Sequence, residues 1–149
     1  MKHINLLLAL TISTFSFAQE KIYTEKDVEK IAIYPGCDEN LDNIEQIKCL
    51  NIKLLTDLNS QLSDSVDRMA DNGRRGFFKT VNTFTINSNG DFIDIESEGD
   101  LQLGDAVKNA FRKLNQIQNK TKQKVIPAKN ANGENVNLRL AIPIKLNIS

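Results

Sequence analysis

Cys37 and Cys49 are the residues of this sequence most clearly able to do chemistry, because two thiols can form a disulfide or bind a metal ion. They are twelve residues apart, and an unbroken helix would hold their Cα atoms about 18 Å apart. A disulfide needs a Cα separation of roughly 4.4–6.8 Å. If the two are joined, the chain must turn back between them, and Pro35-Gly36 and residues 38–40 supply turn residues. Two unpaired thiols or a metal-binding pair are the alternatives.

The N-terminal residues predict export, which favours the disulfide among these alternatives. Lys2 and His3 precede an apolar run, residues 6–18, and the run ends with Ser16-Phe17-Ala18 before Gln19. This is the pattern of a secretory signal peptide with a cleavage site, and the run is short for a membrane span. We expect cleavage before Gln19 and no integral membrane span afterwards. An uncleaved anchor or a buried helix is the alternative. Cysteines of exported proteins are commonly paired in disulfides.

The composition of the cleaved chain disfavours enzymatic chemistry. It would contain no histidine and no tryptophan, since His3 is the sole histidine of the sequence. No P-loop, dinucleotide-binding glycine motif, nucleophile elbow or metal motif is present. Acidic residues at positions 91, 94, 96, 98 and 100 could bind a cation, but their alternation with apolar residues is typical of the polar side of a strand. We therefore expect no enzyme, no cofactor and no metal site.

Two stretches have the spacing of apolar residues that is typical of an amphipathic helix. The first covers residues 41–70, and Asp42 with Glu45 resembles a capping box at its start. This stretch is either one helix or two helices with a break at residues 49–52. The second covers residues 101–117. Its apolar stripe consists of Leu103, Ala106, Val107, Ala110, Phe111, Leu114 and Ile117.

Three stretches have the composition or the alternation of apolar and polar residues that is typical of half-buried strands. Residues 77–87 and 92–97 flank the turn at residues 88–91, whose Asn-Gly pair is typical of a hairpin. The longest alternation covers residues 136–148, and Pro143, which lacks an N–H, places this strand at or near a sheet edge. The predicted fold is α+β, with a small antiparallel sheet (hairpin plus C-terminal strand) packed against two amphipathic helices.

Charge is unevenly distributed along the chain. Residues 38–72 carry eight acidic and three basic side chains, whereas residues 101–149 carry nine basic and two acidic ones. The basic residues 101–149 form either a solvated surface attracted to the acidic helix predicted within residues 41–70 or a surface that binds an anionic partner. Export and the lack of interleaved aromatic residues argue against nucleic acid as that partner.

In the order and spacing of several motifs, residues 77–148 resemble the C-terminal domain of TonB-family proteins. The matching features are the strand ending Phe84-Thr85-Ile86, the turn Asn89-Gly90-Asp91, the strand Phe92–Ser97, the helix around Asp105-Ala106 and Ala110, the segment Ile126-Pro127-Ala128, then Gly133, Val136 and the closing Ile142-Pro143-Ile144. The segment from Tyr34 to Cys37, followed by Cys49, resembles the cysteine-bearing N-terminal extension of such domains in Bacteroidetes. The chain has three prolines and no long proline-rich linker of the kind that energy transducers of the family possess. The tyrosine-proline pair often found before the domain's first helix is also absent between Met69 and Phe77.

The resemblance implies a periplasmic domain that binds an extended peptide along a sheet edge, as TonB domains are thought to bind the TonB box of an outer-membrane transporter. The expected partner-binding residues are Arg139, Ala141, Pro143 and Lys145. The partner would be a protein or a peptide and not nucleic acid. The alternative function is a structural or self-associating envelope protein, attached to peptidoglycan or another partner or forming a homodimer through the same edge.

These inferences divide the chain into three parts. Residues 1–18 are the predicted signal peptide. Residues 19–36 are an N-terminal leader, of which residues 19–30 are expected to have little structure of their own. Residues 37–149 are the TonB-like domain, whose N-terminal helix is tethered by the disulfide.

Overall fold

The computed structural model describes residues 20–149, so the predicted signal peptide lies outside the described residues. These residues form β1 (Ile22–Tyr23), α1 (Asn43–Asp71), β2 (Gly76–Ile86), β3 (Phe92–Gly99), α2 (Leu101–Thr121), β4 (Ala128–Lys129) and β5 (Asn135–Ile148). The predicted α+β fold, with strands packed against two helices, is confirmed. Of the helices in residues 20–149, none has the length and apolar character that crossing a membrane requires.

The sheet is organised around β5, which lies between β1 and β2 in the order β1-β5-β2-β3. β5 pairs with β2 in antiparallel fashion over eleven residue pairs, from Leu138 opposite Ile86 to Ile148 opposite Gly76, and the register continues unbroken past Pro143. β2 and β3 form the predicted hairpin. The sheet is mixed, because β1 pairs with β5 in parallel over two residues, whereas β4 pairs with it in antiparallel fashion over another two.

The hairpin turn explains why a glycine stands at position 90. The side-chain oxygen of Asn87 accepts hydrogen bonds from the backbone N–H groups of Asn89 and Asp91, which closes the turn. Gly90 has a φ of +84°, a conformation that favours glycine. A Cβ atom at this position would lie 2.1 Å from the backbone oxygen of Val125. The turn therefore requires glycine both for its backbone conformation and for the close approach of a second chain segment.

Three phenylalanine rings form the centre of the core between the sheet and the helices. Phe84 of β2, Phe92 of β3 and Phe111 of α2 have ring centroids 4.9–5.8 Å apart, and all three are almost completely buried. The alternation predicted for the last strand is confirmed, since its apolar residues face this core. They are Leu138, Leu140, Ile142, Ile144 and Ile148, which are buried, and Leu146, which is partly buried.

α1 is one continuous helix, so the alternative of two helices is wrong. The Asp42 side chain accepts a hydrogen bond from the Glu45 N–H at 2.8 Å, as the capping-box pattern predicts. The stripe that α1 buries consists of Leu50, Leu54, Leu58, Leu62 and Met69.

Asp100 caps the start of α2, and its side chain accepts a hydrogen bond from the Leu103 N–H at 2.9 Å. The Arg74 guanidinium also donates to Asp100 and holds the pKa of that carboxyl below its usual range. The predicted apolar stripe of α2 is correct up to Leu114, but Ile117 is 42% exposed and Gln118 is buried in its place. The reason is local, because the Gln118 side chain accepts a hydrogen bond from the Val125 N–H.

The predicted leader is more ordered than expected. Val28, Ile31 and Ala32 are buried, although the segment forms no helix despite their spacing of three and four. Ile33 exchanges two backbone hydrogen bonds with Ile126, each 2.9 Å long. The segment is ordered by contacts with distant residues. The prediction of little structure for residues 19–30 is therefore wrong at β1, at Val28 and at Lys30, which exchanges backbone hydrogen bonds with Lys129.

The disulfide between Cys37 and Cys49 is confirmed, and it fixes this N-terminal segment to α1. The Cα atoms of the two cysteines are 6.0 Å apart, and the chain turns back before α1 begins. The hydroxyl of buried Tyr34 donates to the Asp57 carboxylate of α1 at 2.6 Å. Burial, together with this carboxylate, raises the pKa of Tyr34 far above its usual value, so the hydroxyl stays protonated and keeps donating.

Candidate partner-binding site

The edge of β5 that faces away from β2 is unpaired over most of its length. β1 pairs with β5 at Asn137 and Leu138, and β4 pairs with Asn135 and Val136. Among the described strands, only β2 pairs with residues 139–148. One side of this stretch therefore presents backbone N–H and C=O groups to solvent, as an edge strand does. Pro143 adds no N–H to that row.

α1 lies beside this free edge and forms a groove with it, which we call the β5 groove. Residues 51–55 of α1 and residues 141–143 of β5 enclose a depression of about 240 Å³. Residues 59–67 of α1 and residues 144–147 of β5 enclose the next depression, of about 360 Å³. The two depressions follow one another along both elements, so the groove runs parallel to the free edge.

The first depression of the β5 groove is apolar. Ile52 and Leu55 of α1 face Ala141, Ile142 and Pro143 of β5 across it. Ile52 is 67% exposed, a large fraction for an isoleucine beside an unpaired strand edge. This depression can accept an aliphatic side chain from a segment lying along β5, because such a side chain would bury apolar surface on both walls.

The predicted site residues Ala141, Pro143 and Lys145 line the β5 groove, whereas Arg139 is held by the fold itself. The Arg139 guanidinium donates to the Thr85 hydroxyl, to the Thr83 hydroxyl and to the backbone oxygen of Asp94, at 2.8–3.2 Å. It also lies 3.4 Å from a carboxylate oxygen of Glu96. Arg139 thus reaches across β2 to β3 and stabilises the sheet, although it also lines a depression of about 430 Å³ near Thr24–Lys26.

Lys145, the fourth predicted site residue, is exposed on the sheet face opposite the core. Lys79 of β2 is its direct cross-strand partner, and both side chains are exposed on the same face of the sheet. Neither lysine forms an ion pair within residues 20–149. Phe77, 85% exposed, and Val81, 40% exposed, flank Lys79 on the same face. We call these residues, with Pro143, the open face.

The acidic residues of the hairpin region do not gather into a metal site. In the described part of the chain, no group of three or more His, Cys, Asp or Glu side chains is placed to hold a metal ion. Instead, Asp91 pairs with Lys124 at 2.8 Å, and Asp100 begins α2 and binds Arg74. These two carboxylates, which flank β3, have structural partners.

Comparison with solved structures finds a likeness to the NMR solution structure of a Helicobacter pylori TonB C-terminal domain, residues 179–285. The identity is 19%, the match covers 74% of this chain and 87% of that chain, and the TM-score is 0.40. No family model and no curated protein matches the chain. A likeness of this size does not assign a function.

Two features of this surface could not be predicted from the sequence. The wall contributed by α1 depends on how the helix packs against β5, and Ile52 alone is an unremarkable residue in a helix. The Lys79–Lys145 pair depends on the register between β2 and β5, which joins residues distant in the chain. The strand alternation gave the face of each lysine but not the pairing between them.

Proposed function

We propose that this chain is a non-enzymatic binding domain that accepts an extended peptide as an additional strand on the free edge of β5. The observation that carries the proposal is the unpaired edge of residues 139–148, beside which α1 supplies a second wall. Backbone hydrogen bonds to β5 would provide affinity, and the depressions of the β5 groove would select side chains. The sequence resemblance points to a segment of an outer-membrane transporter, or of another envelope protein, as the natural peptide.

The other free edge of the sheet, that of β3, is a poor acceptor for a strand. Asp94 has a φ of +50°, and the register between β2 and β3 shifts between Thr83 and Thr85. Such a bulge interrupts regular pairing, and the exposed acidic side chains at positions 94, 96 and 98 protect the edge further. Strand addition is therefore directed to β5.

A substitution in the wall of the β5 groove tests this proposal. The probe is a capped peptide with valines at alternate positions, acetyl-Ser-Val-Glu-Val-Thr-Val-Ser-amide. Ile52→Asp should weaken its binding roughly five- to tenfold, because about 1 kcal/mol or more of apolar burial is lost. Titration of the isotope-labelled protein, followed by NMR, measures the dissociation constant.

Ile44→Asp is the matched control for this experiment. Ile44 lies on the same helix and is 65% exposed, but it does not line the groove. It should change peptide binding less than twofold, and both variants should keep their free energy of unfolding within about 0.5 kcal/mol of the parent. Absence of peptide binding by the parent chain, or equal effects of the two substitutions, would contradict the proposal.

Self-association through the same edge is a second candidate function, because an unpaired edge can pair with a copy of itself as well as with a peptide. Sedimentation velocity over a wide range of protein concentration tests it. A dimer that is weakened by Ile52→Asp and not by Ile44→Asp would support this candidate. A monomer at the highest concentration would exclude it.

A further inference from the structure

We infer that the peptide bound along β5 carries an acidic residue beside Lys145, and that the Lys79–Lys145 pair selects for it. This inference rests on the proposed strand addition. Lys79 and Lys145 are directly opposed in the register of β2 and β5. Like charges in such positions destabilise a sheet, and no acidic side chain within residues 20–149 pairs with either lysine. Glu98 lies opposite Val81, one row from Lys79, and Asp67 lines the second depression with Lys145, but neither carboxylate forms an ion pair with the lysines. The two lysines next to the free edge therefore have no ion-pair partner within the described residues.

An added strand would extend this pair into a row of three. Residues directly opposite each other on neighbouring strands have side chains on the same face, and the strands are about 4.8 Å apart. The peptide residue opposite Lys145 would therefore lie on the open face, in line with both lysines. A carboxylate there could bind the Lys145 ammonium directly, and the long side chain of Lys79 could reach toward it from the next strand.

The rows beside the two lysines present no further positive charge on β2 or β5, so an acidic peptide residue is selected in one row only. In the next row on the open face, Val81 lies between Pro143 of β5 and Glu98 of β3, so that row carries no positive charge. On the other side of Lys79, the row of Phe77 and Asn147 is uncharged. The residues that alternate with this row on an added strand would face the β5 groove. Beside Lys145 its wall contains Leu62 and Val66 together with polar side chains, and the apolar first depression follows at Ile142. The peptide class is thus one acidic residue between aliphatic residues, with an uncharged residue in the row of Pro143.

A charge exchange tests the inference. The probes are the valine peptide described above and its counterpart with lysine in place of glutamate. The parent chain should bind the glutamate peptide roughly five- to tenfold more tightly at low ionic strength. This preference should shrink as salt is added. In Lys145→Glu the preference should reverse in favour of the lysine peptide.

Lys108→Glu is the control with the same net charge as Lys145→Glu. Lys108 is exposed on α2 and lines neither depression of the groove. It should preserve the preference for the glutamate peptide. A preference lost equally in both variants would mean that net charge and not the lysine pair selects the peptide, and the inference would be overturned.

A stability measurement separates a binding role of the pair from a structural one. Lys79→Glu places a carboxylate opposite Lys145, so the melting temperature should rise while the preference for the glutamate peptide falls. A fall in both would overturn the inference. If the parent binds both peptides equally, the inference fails and strand addition stands. If it binds neither peptide, the proposed function itself fails.

Discussion

Replacing Phe111 with alanine should lower the free energy of unfolding by about 3–5 kcal/mol, the largest effect that we expect from one substitution. Phe111 is fully buried, and its ring centroid lies 4.9 Å from that of Phe84 and 5.3 Å from that of Phe92. Its removal leaves a cavity where α2, β2 and β3 meet and eliminates two aromatic contacts. Native domains are stable by only about 5–15 kcal/mol. Urea unfolding followed by circular dichroism measures the loss.

Ile117→Ala is the matched control, since Ile117 lies on the same helix but is 42% exposed. We expect it to lower the free energy of unfolding by less than about 1 kcal/mol, as substitutions away from the core commonly do. Similar losses for the two variants would contradict a core centred on the three phenylalanine rings.

Removing the disulfide by the double substitution Cys37→Ser and Cys49→Ser should lower the free energy of unfolding by about 3 kcal/mol. The bond closes a short loop, with a sequence separation of 12, and the expected effect follows from the chain entropy that it removes from the unfolded state. A reducing agent should destabilise the parent chain by a similar amount and leave the double variant unchanged. Equal stability of the parent chain with and without the reducing agent would contradict a structural role for the bond.

Removal of the disulfide should increase amide exchange most in the N-terminal segment that precedes Cys37. Tyr34 and Ile31 pack against the rest of the fold just before the disulfide, and Cys37 joins that segment to α1. Amide exchange in the double variant should therefore accelerate around Ile33 and Ile126, which bond to each other, more than in the β2–β3 hairpin.

Long periodic elements of this fold could be predicted from the sequence because each has its own local signal. The alternation in β5, the Asn-Gly turn at Gly90 and the apolar stripe of α1 all correspond to observed elements. The order of residues 28–30 could not be predicted, since it comes from backbone bonds of Glu29 and Lys30 to Lys129 and from burial of Val28 against distant residues. Short segments ordered by distant contacts carry no period that a sequence pattern reveals.

Only part of the candidate site could be predicted from the sequence. Pro143 indicated an edge, and most of one side of β5 is indeed unpaired, although β1 covers its beginning. The engagement of Arg139 with Thr83, Thr85 and the backbone of Asp94 depends on the packing of three strands. A basic residue on a predicted strand face looks the same in the sequence whether it is free or already bound. Whether such a side chain is free or bound depends on the positions of the neighbouring strands.

Amide hydrogen exchange with and without the valine peptide is the most direct test of strand addition on β5. New backbone hydrogen bonds should slow the exchange of N–H groups within residues 139–148 that face away from β2. The N–H groups on the outer edge of β3 should exchange at unchanged rates. Protection of β3 in place of β5, or binding of the peptide without any protection of β5, would contradict a binding domain that works by strand addition at this edge.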